Sequence, residues 1–280
     1  MMDVVKAQNL GFCSGVKLAL GIAERAILKA RDLGLPCYVY GDIVHNAYVM
    51  NELMRHGVVK IDSPYGYKPG VLIIRTHGIS DSLRSLFLDQ GFIIEDATCP
   101  VVLRNQASIR SAHDNVLVIG IPGHSEVVSL LGANKNVTII DNAQKLSYLD
   151  RGKCYKAVVQ TTFSSSSLEK IKKKAKELSL DIAFANSICA SSELRREGVV
   201  NLKGKVDALI VVGDKHSANT NELFSIAKEN GMTSFLVEKV DDITKEMMLY
   251  DKIGLAAGAS TPEKIYNEVE KYLRSVDNGR

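Results

Sequence analysis

The stretch Asp96-Ala97-Thr98-Cys99-Pro100, followed one helical span later by Val116-Leu117-Val118-Ile119-Gly120-Ile121-Pro122-Gly123-His124-Ser125-Glu126, decides the fold. A cysteine before proline marks a helix start. The apolar run is short and β-branched, as a buried strand is, and the Gly/Pro-marked polar loop ends at another helix start. Outward from here the same order recurs on both sides. Cys13 lies in Gly11-Phe12-Cys13-Ser14-Gly15-Val16, ahead of a helix from Val16 to about Arg31, a strand Cys37–Tyr40 and the loop Gly41-Asp42-Ile43-Val44-His45-Asn46. Cys189 lies in Asn186-Ser187-Ile188-Cys189-Ala190-Ser191, and the strand Ala208–Val212 then feeds Gly213-Asp214-Lys215-His216-Ser217-Ala218-Asn219. The helix after Cys99 is predicted to run to about His113. Each third has a further strand: Val71–Ile74 delivers Arg75-Thr76-His77-Gly78, Ala157–Gln160 delivers Thr161-Thr162-Phe163-Ser164, and Ile253–Ala256 delivers Gly258-Ala259-Ser260-Thr261-Pro262.

This alternation predicts an α/β fold of three similar α/β units with mainly parallel sheets. The units are expected at 14–98, 99–188 and 189–280, with an N-terminal strand in 1–13 that returns to the last unit. No low-complexity linker separates them, so they are expected to pack together. Ligands of open α/β sheets bind beyond the carboxyl ends of strands, which is where all six polar loops fall.

Composition narrows the function classes. A chain of 280 residues, 46% hydrophobic, can bury a large core. Met1-Met2-Asp3-Val4-Val5-Lys6 lacks the pattern of a signal peptide, and no run approaches the roughly 18 apolar residues of a membrane span. A cytoplasmic location without membrane contact is expected, and there cysteines are more often metal ligands or catalytic groups than disulfides. A net charge of +3, no Trp and 6% aromatic residues argue against nucleic acid. The basic run Lys170–Lys176 has the spacing of a solvated helix face.

The cysteines at 13, 99 and 189 stand 86 and 90 residues apart, one per third. They could hold zinc together with a histidine, ligate an iron–sulfur cluster, or be unrelated buried thiols. No close Cys-x-x-Cys pair favours zinc. Three cysteines on a 4Fe-4S cluster would leave one iron open to a substrate oxygen as a Lewis acid. Cys37 and Cys154, in or beside strands, read as ordinary buried or half-buried thiols. His45, His77 and His124 occupy strand-end loops, which read as equivalent positions in the repeat. With Ser217, Asn219 and Ser260 at predicted helix starts they suit an anion such as a diphosphate, although Ser and Asn also serve as simple N-caps. There is no Gly-x-x-x-x-Gly-Lys-Ser/Thr sequence and no Gly-x-Gly-x-x-Gly after the first strand, so nucleotide motifs are unsupported. Glu126, two residues after His124, is the candidate acid, with a pKa expected to rise on burial, or else a cap for its helix. Thr161 could orient it or relay its proton.

The segments Gly11-Phe12-Cys13-Ser14-Gly15-Val16, Val44-His45-Asn46, His77-Gly78, Asp96-Ala97-Thr98-Cys99-Pro100, Gly123-His124-Ser125-Glu126, Gln160-Thr161-Thr162, Ser187-Ile188-Cys189 and Gly258-Ala259-Ser260-Thr261-Pro262 closely resemble the 4-hydroxy-3-methylbut-2-enyl diphosphate reductase (IspH/LytB) family, in order and over essentially the full length. The resemblance implies a pseudo-threefold cloverleaf around one 4Fe-4S cluster held by Cys13, Cys99 and Cys189. It implies reductive loss of an allylic hydroxyl, giving isopentenyl and dimethylallyl diphosphates in the last step of the non-mevalonate isoprenoid pathway. Glu126 would supply protons beside Thr161, and His45, His77, His124, Ser217, Asn219 and Ser260 would hold the diphosphate. A ferredoxin- or flavodoxin-type donor is implied, since no flavin or nicotinamide motif is visible. Two stretches depart from the family pattern. After Cys189 the chain reads Ala190-Ser191-Ser192-Glu193-Leu194-Arg195-Arg196, and Ala218 stands where a second serine is common. Two other classes compete: a non-catalytic metal-stabilised module binding a phosphorylated metabolite, and a phosphatase-like hydrolase using the histidines.

Overall fold

A computed structural model describes residues 2–112, 115–134, 136–185 and 188–275. His113, the expected helix end, and Asn186 and Ser187 of the third cysteine motif lie outside the described residues. In chain order the elements are β1 (Asp3–Lys6), α1 (Ser14–Asp32), β2 (Cys37–Tyr40), α2 (Ala47–Arg55), β3 (Val58–Ile61), β4 (Val71–Ile74), α3 (Asp81–Asp89) and β5 (Ile93–Asp96). There follow α4 (Pro100–Arg110), β6 (Asn115–Ile119), α5 (Ser125–Leu131), β7 (Val137–Ile140), β8 (Cys154–Val159), α6 (Ser165–Glu177) and β9 (Asp181–Phe184). The last are α7 (Ala190–Val200), β10 (Ala208–Val212), α8 (Ala218–Glu229), β11 (Ser234–Val237), β12 (Lys252–Ala257) and α9 (Glu263–Ser275).

These strands form three sheets of four, every pairing parallel: β3-β2-β4-β5, β7-β6-β8-β9 and β11-β10-β12-β1. The three orders are superposable element for element. The chain's first strand completes the last sheet, with Asp3 beside Lys252 and Lys6 beside Leu255. Backbone contacts divide the chain into two compact units, Met1–Lys17, Val44–Asn51 and Ala190–Arg280 forming one, Leu18–Ile43 and Glu52–Cys189 the other. The first holds the third sheet; the second holds the other two.

The inner strands β4 and β10 are buried at every residue because helices cover both faces of a parallel sheet, so they read as unbroken apolar runs. Along β6, Leu117 and Ile119 enter one core with Tyr155, Val159 and Ile171, while Val116 and Val118 enter another with Ile109, Val127 and Leu130. The flanking strands β3, β5 and β9 mix exposed or half-exposed residues into four-residue runs, which is why the sequence pattern names only two strands per third. β8 begins three residues earlier than expected and ends at Val159, leaving Gln160 in the loop. Cys37 is buried as read, but Cys154, the first residue of β8, is exposed rather than buried.

Phe87 of α3 is fully buried and meets Tyr40 and Phe92 edge-on at 5.6 and 5.3 Å between ring centroids. Truncation leaves a cavity the sheet cannot close. Phe87→Ala is expected to cost about 3–5 kcal/mol, read from urea unfolding midpoints; a loss below ~1 kcal/mol would show that this core relaxes freely.

Candidate functional site

One backbone device recurs in all three sheets and presents the cysteines. Each follows the strand at one edge of its sheet, immediately before a helix, and its N–H donates to the carbonyl of the second residue beyond the neighbouring strand. The bonds are Cys13 to Ala259 at 3.2 Å, Cys99 to Thr76 at 2.9 Å and Cys189 to Thr161 at 3.1 Å. A second device closes the loop after the central strand: Gly41, Gly120 and Gly213 donate to the last residues of β3, β7 and β11. At Gly120 a Cβ would lie 2.6 Å from Val127 Cγ2 and 2.9 Å from Gln160 Oε1, so only glycine fits.

In the second unit these devices gather Cys99, Cys189, His77, His124, Glu126 and Thr161. His124 caps α5, its Nδ1 accepting the Glu126 N–H at 3.2 Å, which leaves Nε2 as the protonated nitrogen. The His77 and His124 rings lie edge to face at 5.5 Å. Ser129 Oγ, 2.7 Å from His77 O and 2.8 Å from Glu126 O, ties the His77 loop to α5. His77 follows β4, whereas His45 and His124 follow β2 and β6. The three loops are therefore not equivalent as the sequence suggested: the counterparts of His77 are Thr162 and Ser260, three residues beyond β8 and β12.

Glu126 sits in the first turn of α5 at 1% exposure but does not cap it. Its Oε1 accepts the Thr161 N–H at 2.9 Å and its Oε2 the Thr161 hydroxyl at 2.6 Å. Burial pushes the carboxyl up to about 7, against the pull of the Thr161 hydroxyl and N–H and of the Asn105 side chain. Gln160, fully buried, joins the two loops that carry this pair: its Oε1 accepts from Ile121 N at 2.9 Å and its Nε2 donates to Thr162 Oγ1 at 3.0 Å.

In the first unit Cys13, His45, Ser217, Asn219 and Ser260 come together. Ser217 caps α8 through Thr220 N at 3.4 Å, and Ser260 Oγ lies 3.4 Å from Ser217 Oγ while donating to His45 O at 3.0 Å. Asn219 is the positional counterpart of Glu126: second residue of its helix, its Oδ1 accepts the Ala259 N–H at 2.8 Å. Its Nδ2 is buried with no partner among the described residues, a donor available to an anion. Ala218 is the first residue of α8.

The cysteines differ in the way ligands differ from packing groups. All five are thiols. Cys13, Cys99 and Cys189 are half-buried at helix starts, and Cys13 Sγ accepts the Val16 N–H at 3.4 Å. Burial instead pushes the Cys37 thiol up to about 11. Thiol sulfur is the donor that iron–sulfur clusters take; among the described residues no three His, Cys, Asp or Glu side chains converge on a single metal ion.

Arg195, 5% exposed, reaches from α7 to Gly11 O and to Ser191, fixing the loop that carries Cys13. Asp96 accepts from Thr98 N and Oγ1 and pairs with Arg84, which together outweigh burial and hold its carboxyl below the ordinary value, so the approach to Cys99 is anchored. Sequence reasoning missed Asn105, Ser129 and the roles of Gln160 and Arg195. For Asn105 a signal existed: an amide on the stripe 102, 105, 106, 109 that α4 turns inward.

A family model described as LytB protein matches residues 4–274. A 4-hydroxy-3-methylbut-2-enyl diphosphate reductase of Treponema denticola is 35% identical over 97% of this chain and 99% of its own length. One of Caldanaerobacter subterraneus subsp. tengcongensis is 35% identical over 98% of each. The solved E-1-hydroxy-2-methyl-but-2-enyl-4-diphosphate reductase of Plasmodium falciparum superposes with a TM-score of 0.90 at 27% identity, over 99% of this chain and 89% of that one. A second solved structure, of (E)-4-hydroxy-3-methyl-but-2-enyl diphosphate reductase, described as the terminal enzyme of the non-mevalonate pathway, gives 0.71 at 27% identity over 99% and 100%.

Proposed function

The chain belongs to the LytB protein family, and from that premise we propose that it reduces (E)-4-hydroxy-3-methylbut-2-enyl diphosphate to isopentenyl and dimethylallyl diphosphates, closing the non-mevalonate route. In this reaction the allylic C–O bond breaks, a C–H bond forms and the oxygen leaves as water, which consumes two electrons and two protons. Members of the family bind a 4Fe-4S cluster. When bound, the cluster supplies electrons singly and offers an iron that polarises the departing oxygen. Cys13, Cys99 and Cys189 would hold it, each following an edge strand, β1, β5 or β9, of one of the three sheets; the expected units remain 14–98, 99–188 and 189–280 with 1–13. The electrons come from a ferredoxin- or flavodoxin-type carrier, and the enzyme works in the cytoplasm; no helix among the described residues is long and apolar enough to cross a membrane.

The protein's own residues handle the substrate and the protons. His45, His77, His124, Ser217, Asn219 and Ser260 bind the diphosphate, with the buried Asn219 Nδ2 a donor already desolvated. Because the Thr161 N–H occupies Oε1 of Glu126, a proton on the acid goes to Oε2, and the Thr161 hydroxyl, which donates to the carboxylate there at 2.6 Å, turns to accept from the protonated form. The threonine hydroxyl can take that proton and pass its own onward.

The observation that supports this reading most is a fully buried carboxyl, pushed up to about 7 by that burial, hydrogen-bonded to Thr161 N–H and Oγ1, whose residue also accepts the Cys189 N–H on its carbonyl. Oxygen-free purification is expected to give a brown protein with about four irons per chain that consumes the diphosphate substrate when supplied with a low-potential reductant. A colourless, iron-free chain that hydrolyses phosphate esters would sink the proposal.

A further inference from the structure

The backbone around His77 is held from two helices at once. After β4 the chain turns sharply, Gly78 N donating to Arg75 O at 3.0 Å. Three carbonyls of this loop are then claimed from outside it: Thr76 O by the Cys99 N–H at 2.9 Å, His77 O by the Ser129 hydroxyl at 2.7 Å and Ile79 O by the Gln106 amide at 3.1 Å. Cys99 heads α4 and Gln106 lies on it, whereas Ser129 lies on α5, the helix that His124 caps. Packing is equally close. A Cβ on Gly132, at the end of α5, would lie 2.1 Å from Ser80 Cβ, so the far end of the loop rests directly on that helix.

Ser129 is 1% exposed, and its hydroxyl also meets Glu126 O at 2.8 Å. The two bonds differ in kind. A helical serine readily bonds back to a carbonyl one turn before it, so the Glu126 contact needs nothing outside α5. His77 lies 52 residues away, and the bond to it is the shorter. A hydroxyl has one proton, so the two carbonyls share it in a three-centre bond. We propose that Ser129 is a positioning residue for diphosphate recognition: its hydroxyl fixes the His77 peptide on α5 and so keeps the His77 ring in register with that of His124, 5.5 Å away and edge to face.

Sheet pairing alone does not place that ring. The β4 ladder ends at Ile74, and Thr76 still bonds to the segments on either side, to Ile43 and to Cys99. One residue later the His77 peptide is tied to α5 instead. Where an imidazole's nitrogens stand follows from its backbone and two side-chain torsions, so a loosened peptide spreads them over positions that meet an anion poorly. Such a loss of preorganisation weakens binding and leaves the chemical step alone. The inference rests on His77 being a diphosphate ligand in the proposed reduction.

The test uses cluster-loaded protein handled without oxygen: wild type, Ser129→Ala, His77→Ala and the double variant. Ser129→Ala removes a single hydroxyl from a helix and puts a better helix former in its place, so the chain is expected to fold, and urea unfolding checks this separately. Affinity for inorganic diphosphate is measured by calorimetry, and turnover of the hydroxylated diphosphate substrate is resolved into kcat and KM. Ser129→Ala should weaken diphosphate binding and raise KM by about 3–10-fold, with kcat within about two-fold of wild type. His77→Ala should weaken binding by about 10–100-fold. In that background Ser129→Ala should change nothing further, because no ring is left to place. Additive losses in the cycle, or wild-type affinity in Ser129→Ala, overturn the role of Ser129 alone; wild-type affinity in His77→Ala overturns the reading of His77 as a diphosphate ligand beneath it.

Discussion

Glu126→Gln is expected to lower kcat for the diphosphate substrate by about 10²–10⁴-fold while the substrate's Kd stays within a few-fold. Glutamine keeps the volume and a carbonyl oxygen to accept the Thr161 N–H, but it has no proton to give to Thr161 Oγ1. A pH signature should accompany the loss. With a carboxyl that titrates at about 7, wild-type turnover should fall above neutrality, only about a tenth of the acid remaining protonated one unit higher.

The same substitution should stabilise the fold, with a definite sign. The folded-state value is raised from 4.5 to about 7, so the native chain binds the extra proton and stability is full below about 4.5. It declines as pH rises towards 7, and beyond that the buried carboxylate keeps its full cost. Relative to wild type, Glu126→Gln should gain on the order of 3 kcal/mol at about pH 8 and almost nothing near pH 4.5. Urea unfolding at the two pH values measures this. Unchanged turnover together with unchanged stability would mean that the carboxyl is neither acid nor strained.

Replacing Cys13, Cys99 or Cys189 singly with serine is expected to bring retained iron well below about four per chain and to abolish turnover, by more than about 10³-fold. Cys37→Ala and Cys154→Ser should leave both unchanged. The physical distinction is position. Each of the first three sulfurs stands half-buried at a helix start, with its own N–H tied to a strand-end carbonyl that fixes its position. The Cys37 thiol, pushed up to about 11 inside a sheet core, does not ionise, and Cys154 stands exposed at the first residue of β8. Iron analysis and the visible spectrum of protein prepared without oxygen decide it. Full iron in a Cys99→Ser protein would remove that residue from the ligand set.

Much of this site is legible along the chain because its signals are local. A helix start after each cysteine, a glycine after each central strand and a polar loop beyond it are written within a few residues of one another, so Glu126, Thr161, Asn219 and Ser260 can be picked out by position. Partnership across the fold is another matter. Arg195 grips Gly11 from 184 residues away, and the first strand pairs with the last, because parallel sheets join segments that local pattern cannot connect. The apparent equivalence of His45, His77 and His124 dissolves for the same reason: two follow the central strand of their sheets and one follows its neighbour.

The sequence by itself determined the class of fold, the three cysteines and the six loops, since apolar runs, turn residues and helix starts are properties of short segments. Only the tertiary structure decided how those groups are tuned. Burial is a collective quantity, and it is burial that lifts Glu126 to about 7.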